Sequence, residues 1–178
     1  MSGPTIVLTT TDGGCLEFGY NLCMHSNLVK DMLTNLGIDK DSVQPLEVPV
    51  GDVINAATLQ KVKEYTTLLE ANKHKLPQTI SIPNGQENGE IEIEAPSYIM
   101  QNWEIAFSEV LDGDELYNLM MAGNYLDIGR LLEMCTTVVA NMIRGRPADE
   151  VREILGVECD FTEEELERIH VENVWLAD

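Results

Sequence analysis

Basic residues are scarce in this chain. Eleven Lys and Arg stand against 31 Asp and Glu in 178 residues, giving a formal net charge of −20. Phosphate backbones are bound by clustered Lys and Arg, so nucleic acid is excluded as a natural partner. An anionic membrane surface is disfavoured on the same ground. Cysteine is sparse and scattered at Cys15, Cys23, Cys135 and Cys159, with no C-x-x-C pair. Only three histidines are present, so no zinc spacing arises and no metal site is expected. Four dispersed thiols fit free cysteines in a reducing compartment, and the expected location is cytoplasm and nucleus. No N-x-[ST] acceptor occurs, which agrees with that expectation. Runs of about 18 apolar residues are missing, so no transmembrane helix is expected. The opening MSGPTIVLTTTDGG has neither the charged nor the apolar region of a signal peptide. Aromatic residues make up only 6%. The 44% of hydrophobic residues must therefore build the core from Leu, Val, Ile and Met.

Catalytic signatures are also missing. There is no G-x-S-x-G elbow, P-loop, GxGxxG, HExxH or kinase set. His25, His74 and His170 are not spaced as a ligand pair. Cys135 sits on the apolar stripe of its helix, where a thiol is a core residue and not a nucleophile. No enzyme activity and no cofactor are expected.

What is present reads as an α/β chain. TIVLTT, the DGG turn and CLEF form a β-hairpin over residues 5–18. One helical turn fits Asn21 to His25. Ser26 then caps the helix NLVKDMLTNLG, with Leu28, Val29, Met32, Leu33 and Leu36 at helical spacing and Gly37 as a left-handed stop. Pro45–Pro49 reads as an edge strand bounded by prolines. Asn55 caps AATLQKVKEYTTLLEA, with Leu59, Val62 and Leu69 on one side. Residues 73–97 break the pattern with Pro, Asn and Gly and read as a flexible loop, with an added hairpin expected around PNGQENG. From Tyr98 onward the chain reads as helical. A short helix surrounds Trp103 and Phe107. A second, from about Asp114 to Asp127, buries Leu116, Leu119, Met120 and Leu126. A third, GRLLEMCTTVVANMIRG, has an apolar stripe from Leu131 to Ile143 wide enough to predict a largely buried helix. Pro147 opens a short helix carrying Val151, Ile154 and Leu155. The last helix has a T-x-x-E capping box at Thr162 and Glu165, with Phe161 and Leu166 placed as a hydrophobic staple.

Residues 147–178 carry eleven acidic side chains against Arg152 and Arg168. Such a charge excess keeps a surface soluble, and it also steers a basic partner.

Three stretches in this order, TIVLTTTDGG followed by SNLVKDMLTNLG, then AGNYLDIGRLLEMCTTVVANMIRG, then DFTEEELERIHVENVW, closely resemble the Skp family of F-box-binding adaptors in SCF-type ubiquitin ligases. The resemblance covers nearly the whole chain except 73–97. It implies a BTB/POZ-like domain over residues 1–72 and 98–146, interrupted by the 73–97 loop, followed by F-box-binding helices over 147–178. It also implies two partners, a cullin and F-box proteins, with the adaptor performing no chemistry. Asn124 and Tyr125 fall where the family contacts its cullin. Val151, Ile154, Leu155, Ile169 and Trp175 lie on the elements that hold the F-box. A weak homodimer through the BTB-like domain stays open, and the rival function is a self-assembling BTB-fold scaffold that ignores cullin. Departures from the family pattern are a less charged loop, Gly123 in place of Ala, Arg146-Pro147 in place of Thr-Pro, and ENVWLAD at the end. They imply a divergent paralogue. Gly123 alone costs roughly 1 kcal/mol in a helix interior.

Overall fold

The computed structural model describes residues 4–42, 46–52, 54–75 and 98–173. Most of the 73–97 loop, the hairpin expected within it, and Trp175 therefore lie outside the described residues. The chain divides into two compact units, residues 1–138 and 139–178.

In the first unit, β1 (Thr5–Thr9) pairs antiparallel with β2 (Cys15–Gly19), from Thr5 opposite Gly19 to Thr9 opposite Cys15. A parallel strand, β3 (Leu46–Pro49), joins the other edge of β1, giving the order β2-β1-β3. Alternation along β1 sends Ile6 and Leu8 into the core, because successive side chains of a strand point to opposite faces. Phe18 and Val48 join them from the flanking strands.

Two helices connect β2 to β3. The single turn α1 (Tyr20–Cys23) is followed by α2 (Asn27–Asn35). The Ser26 hydroxyl accepts the Val29 N–H at 3.2 Å, and α2 stops where Gly37 takes a positive φ and Ile38 N–H returns to the Leu33 carbonyl. The long helix α3 (Ala56–Asn72) packs against α1, β2 and, later in the chain, α5. Its Asn55 cap accepts the Thr58 N–H at 2.8 Å. A second acceptor comes from the hairpin turn, where Asp12 Oδ2 takes the Ala56 N–H at 3.0 Å. That bond, with the Thr10 hydroxyl, holds the Asp12 carboxyl below the usual carboxylate range. The sheet and α3 are thus joined through the positive end of a helix dipole. A 3-10 turn, Lys73–Lys75, follows α3.

Three helices complete this unit: α4 (Asn102–Ser108), α5 (Gly113–Tyr125) and the first half of α6 (Gly129–Ile143). Capping boxes start α4 at Gln101/Glu104 and α5 at Asp112/Glu115. Leu116, Leu119 and Leu126 are buried as expected, whereas Met120 is only half-buried. Burial of each such leucine contributes about 1.5–3 kcal/mol. In α6, Leu131, Met134 and Cys135 are buried, but from Val138 onward the apolar stripe is half-exposed and Met142 is exposed. Periodicity identified the apolar face correctly but overstated how far the core extends along it.

Glu104 is 0% exposed, yet both of its carboxyl oxygens are paired. Arg130 donates to it from Nε at 2.9 Å and Nη2 at 2.8 Å, the Tyr65 hydroxyl donates at 2.9 Å, and the Gln101 N–H at 2.8 Å. Tyr65 lies edge-on to Phe107 and tilted against Trp103, with centroids 5.5 and 5.3 Å away. Burial, then the neighbouring Glu104 charge, pushes the Tyr65 hydroxyl well above its usual range.

In the second unit, α7 (Ala148–Leu155) begins after Pro147 and ends at Gly156, whose φ of 64° lets Val157 N–H reach the Arg152 carbonyl at 2.9 Å. The helix α8 (Glu163–Glu172) starts with the expected box: Glu165 N–H donates to the Thr162 hydroxyl, and Glu165 Oε2 accepts the Thr162 N–H at 2.9 Å. Phe161 and Leu166, at staple spacing, are both exposed. Phe161 lies under the Arg152 guanidinium, whose Cζ is 6.0 Å from the ring centroid.

Candidate functional site

Each unit presents one candidate surface. In the first unit, α5 ends at Asn124 and Tyr125, and both are exposed. The helix closes through Asp127, which adopts a φ of 50° so that Ile128 N–H bonds the Gly123 carbonyl at 2.8 Å. Gly123 is buried where a Cβ would meet Leu131 Cγ at 3.2 Å, so the glycine lets α5 and α6 approach closely. The helix cost of glycine is set against that packing.

Tyr125 is 37% exposed and anchored at one end only. Its phenol oxygen accepts the Gly51 N–H at 3.0 Å, just beyond β3. The ring thus bridges the end of α5 and the end of the sheet while leaving a face to solvent. The helix expected from about Asp114 to Asp127 puts Tyr125 near its end, where it lies. Sequence reasoning missed Gly51, because residues 74 positions apart share no local pattern.

In the second unit, none of the described residues 139–173 is buried. Val151 is half-buried, while Ile154, Leu155 and Ile169 are 40%, 48% and 38% exposed. Val151, Ile154 and Leu155 share one face of α7 by their i, i+3, i+4 spacing, and Leu166 and Ile169 share one face of α8. Leu166 adds exposed apolar surface, as do Val157 and Val171, which sequence reasoning did not single out. Ten carboxylates surround these positions against four arginines in residues 139–173. Two of the arginines are already engaged, Arg146 with Glu150 at 3.0 Å and Arg152 with Asp149 at 2.6 Å. The result is an apolar stripe with an acidic surround. Trp175, expected on this surface, lies outside the described residues.

Neither surface carries a catalytic constellation. Among the described residues no group of three His, Cys, Asp or Glu side chains could hold a metal ion. Burial pushes the Cys23 and Cys135 thiols up to about 12, which keeps them protonated and unreactive near neutrality. No helix among the described residues is long and apolar enough to cross a membrane.

Comparison with known proteins adds a consistent pattern. Residues 130–176 match the family described as Skp1 family, dimerisation domain. Over 179 residues the chain is 32% identical to the E3 ubiquitin ligase complex SCF subunit sconC of Aspergillus flavus, covering 100% of this chain and 99% of that protein. The protein of the same name from Arthroderma benhamiae is 32% identical over 173 residues, covering 97% of this chain and 95% of that one.

Proposed function

The chain belongs to the Skp1 family, and on that footing we propose that it is a non-catalytic adaptor of an SCF-type E3 ubiquitin ligase, joining F-box substrate receptors to a cullin. The observation that carries this reading is the second unit, in which no described residue is buried and the apolar faces of α7 and α8 stand open. Exposed apolar faces on adjacent short helices support a docking role there. Val151, Ile154, Leu155, Ile169 and Trp175 are assigned to the F-box. Asn124 and Tyr125 are assigned to the cullin, since a partly exposed tyrosine held by one hydrogen bond is a ready interface anchor. A scaffold that self-assembles through the BTB-like domain and ignores cullin is the rival reading, and the NYLDI sequence at residues 124–128 argues against it.

An adaptor holds both partners at once, so each surface must act independently. Replacing both Asn124 and Tyr125 by Ala is expected to cost about 2 kcal/mol or more in affinity for a cullin N-terminal region. F-box affinity should move by less than about 0.5 kcal/mol, as independent sites behave additively. Trp175→Ala should show the converse. Calorimetry on purified protein, with a melting curve as control, reads both. Undiminished cullin binding in the folded double variant removes the assigned cullin surface, and loss of both partners without unfolding removes the two-surface adaptor.

A further inference from the structure

We propose that Gly51 is a positioning residue for Tyr125, holding the phenol in the orientation that the first-unit surface presents to its partner. This rests on the reading of Tyr125 as a cullin contact.

The backbone around Gly51 is fixed before the tyrosine reaches it. Val50, with a buried side chain, donates its N–H to the Thr9 carbonyl at 2.9 Å, which ties the segment after β3 to the central strand. The Gly51 carbonyl accepts the Ile54 N–H at 3.2 Å, which closes the turn leading into α3. The Gly51 N–H is left pointing outward, and it donates to Tyr125 Oη at 3.0 Å. The ring sits close against position 51, which has no side chain. A Cβ there would lie 3.1 Å from Oη and 3.3 Å from Cζ, tight enough that the ring must give by a few tenths of an ångström, with Cε2 at 3.4 Å. An alanine would push the phenol outward by a few tenths of an ångström, and a branched side chain would displace it altogether. An exposed tyrosine at a helix end otherwise samples several rotamers. Fixing one of them before the partner arrives lowers the ordering cost of binding, which is preorganisation.

The test is a double-mutant cycle on the full chain, using Gly51→Val, Tyr125→Ala and the two combined, with Gly51→Ala as the milder variant. Affinity for a cullin N-terminal region is read by calorimetry. Melting temperature and F-box affinity report folding. In parallel, fluorine NMR of 3-fluorotyrosine-labelled protein, with the Tyr125 resonance assigned through Tyr125→Phe, reads the ring directly. Tyr125→Ala should weaken cullin binding about 30-fold, the hot-spot scale. Gly51→Val should weaken it about tenfold, Gly51→Ala by less, and the combined variant should be no weaker than Tyr125→Ala alone. The Tyr125 resonance should shift in Gly51→Val while the other tyrosine resonances stay in place. Multiplying losses in the combined variant, or an unchanged Tyr125 resonance in Gly51→Val, overturns the positioning role. Full cullin affinity in Tyr125→Ala overturns the cullin surface itself, and with it the value of holding the ring.

Discussion

Removing the Arg130 side chain is expected to be among the most damaging single changes to the first unit. Glu104 has no exposed surface, and its carboxylate is balanced by the bidentate guanidinium of Arg130, the Tyr65 hydroxyl and the Gln101 N–H. Arg130→Met supplies a stem of similar volume but no charge, so it leaves the carboxylate buried with two neutral donors. Breaking one side of a buried ion pair costs about 3–5 kcal/mol. Whole-domain stability is only about 5–15 kcal/mol, so a fifth or more of it is at stake. Adding Glu104→Gln to Arg130→Met removes the stranded charge, while the amide oxygen still accepts from Tyr65 or Gln101. The double variant should therefore be more stable than Arg130→Met alone, by about 1–3 kcal/mol, the scale of coupling between residues in one network. Equilibrium urea unfolding of the parent, Arg130→Met, Glu104→Gln and the double variant, comparing midpoints at constant slope, measures the difference. A single variant that loses less than about 1 kcal/mol, or a double variant that loses the sum of the two separate losses, would refute the view that the pair exists to compensate buried charge.

Further outcomes are expected elsewhere. Amides of α7 and α8 in the isolated chain should exchange much faster than those of the buried first half of α6, and should slow when an F-box is added, since short helices without a core are marginal alone; equal protection in the free chain would count against an incomplete face. Because the second unit is ringed by carboxylates, association with an F-box should slow as salt is raised from about 0.05 to 0.5 M, with a smaller effect on dissociation; salt-insensitive association would show that the acidic surround does not steer. The Asp12 carboxyl is held low by the Ala56 N–H and the Thr10 hydroxyl, so its contribution is present above the unfolded value of about 3.9 and is lost as pH falls through the depressed folded value. Asp12→Asn should flatten the stability profile below about pH 4, and acid melting curves that superimpose on those of the parent would contradict this.

The legible parts of the molecule are those written within a few residues of one another. Ser26 to Val29, Asn55 to Thr58 and Thr162 to Glu165 are three-residue relations, and each cap formed where its side chain announced it. Gly37 and Gly156 stop their helices with positive φ for the same local reason. The Gln101/Glu104 box hides its larger role, because Glu104 depends on Tyr65, 39 positions away, and Arg130, 26 away. The stripe of α6 identified a face but not the depth to which neighbours cover it, which is why Val138 to Ile143 are more open than their hydropathy suggests. Phe161 and Leu166 have staple spacing, yet Phe161 meets the Arg152 guanidinium, a contact that periodicity does not encode. The candidate surfaces followed the same rule. Tyr125 was visible as an aromatic at a helix end, and the Gly51 donor that anchors it was not.

One long-range tie has a consequence for how the chain folds. The Leu126 carbonyl accepts the Ser26 hydroxyl, 100 residues distant, and the Asp127 carbonyl accepts the Asn27 N–H at 3.1 Å. The residues that finish α5 are therefore held by the first turn of α2. Closing a loop of that length costs about 4 kcal/mol of chain entropy by the logarithmic rule, and it must be met before the contact returns anything. During synthesis the early hairpin and α2 have to wait, incompletely covered, for the far end of α5 to arrive. A chain truncated before Leu126 would lack the tie to Ser26 and Asn27, so seating of the end of α5 reports that residues 26 and 126 have met.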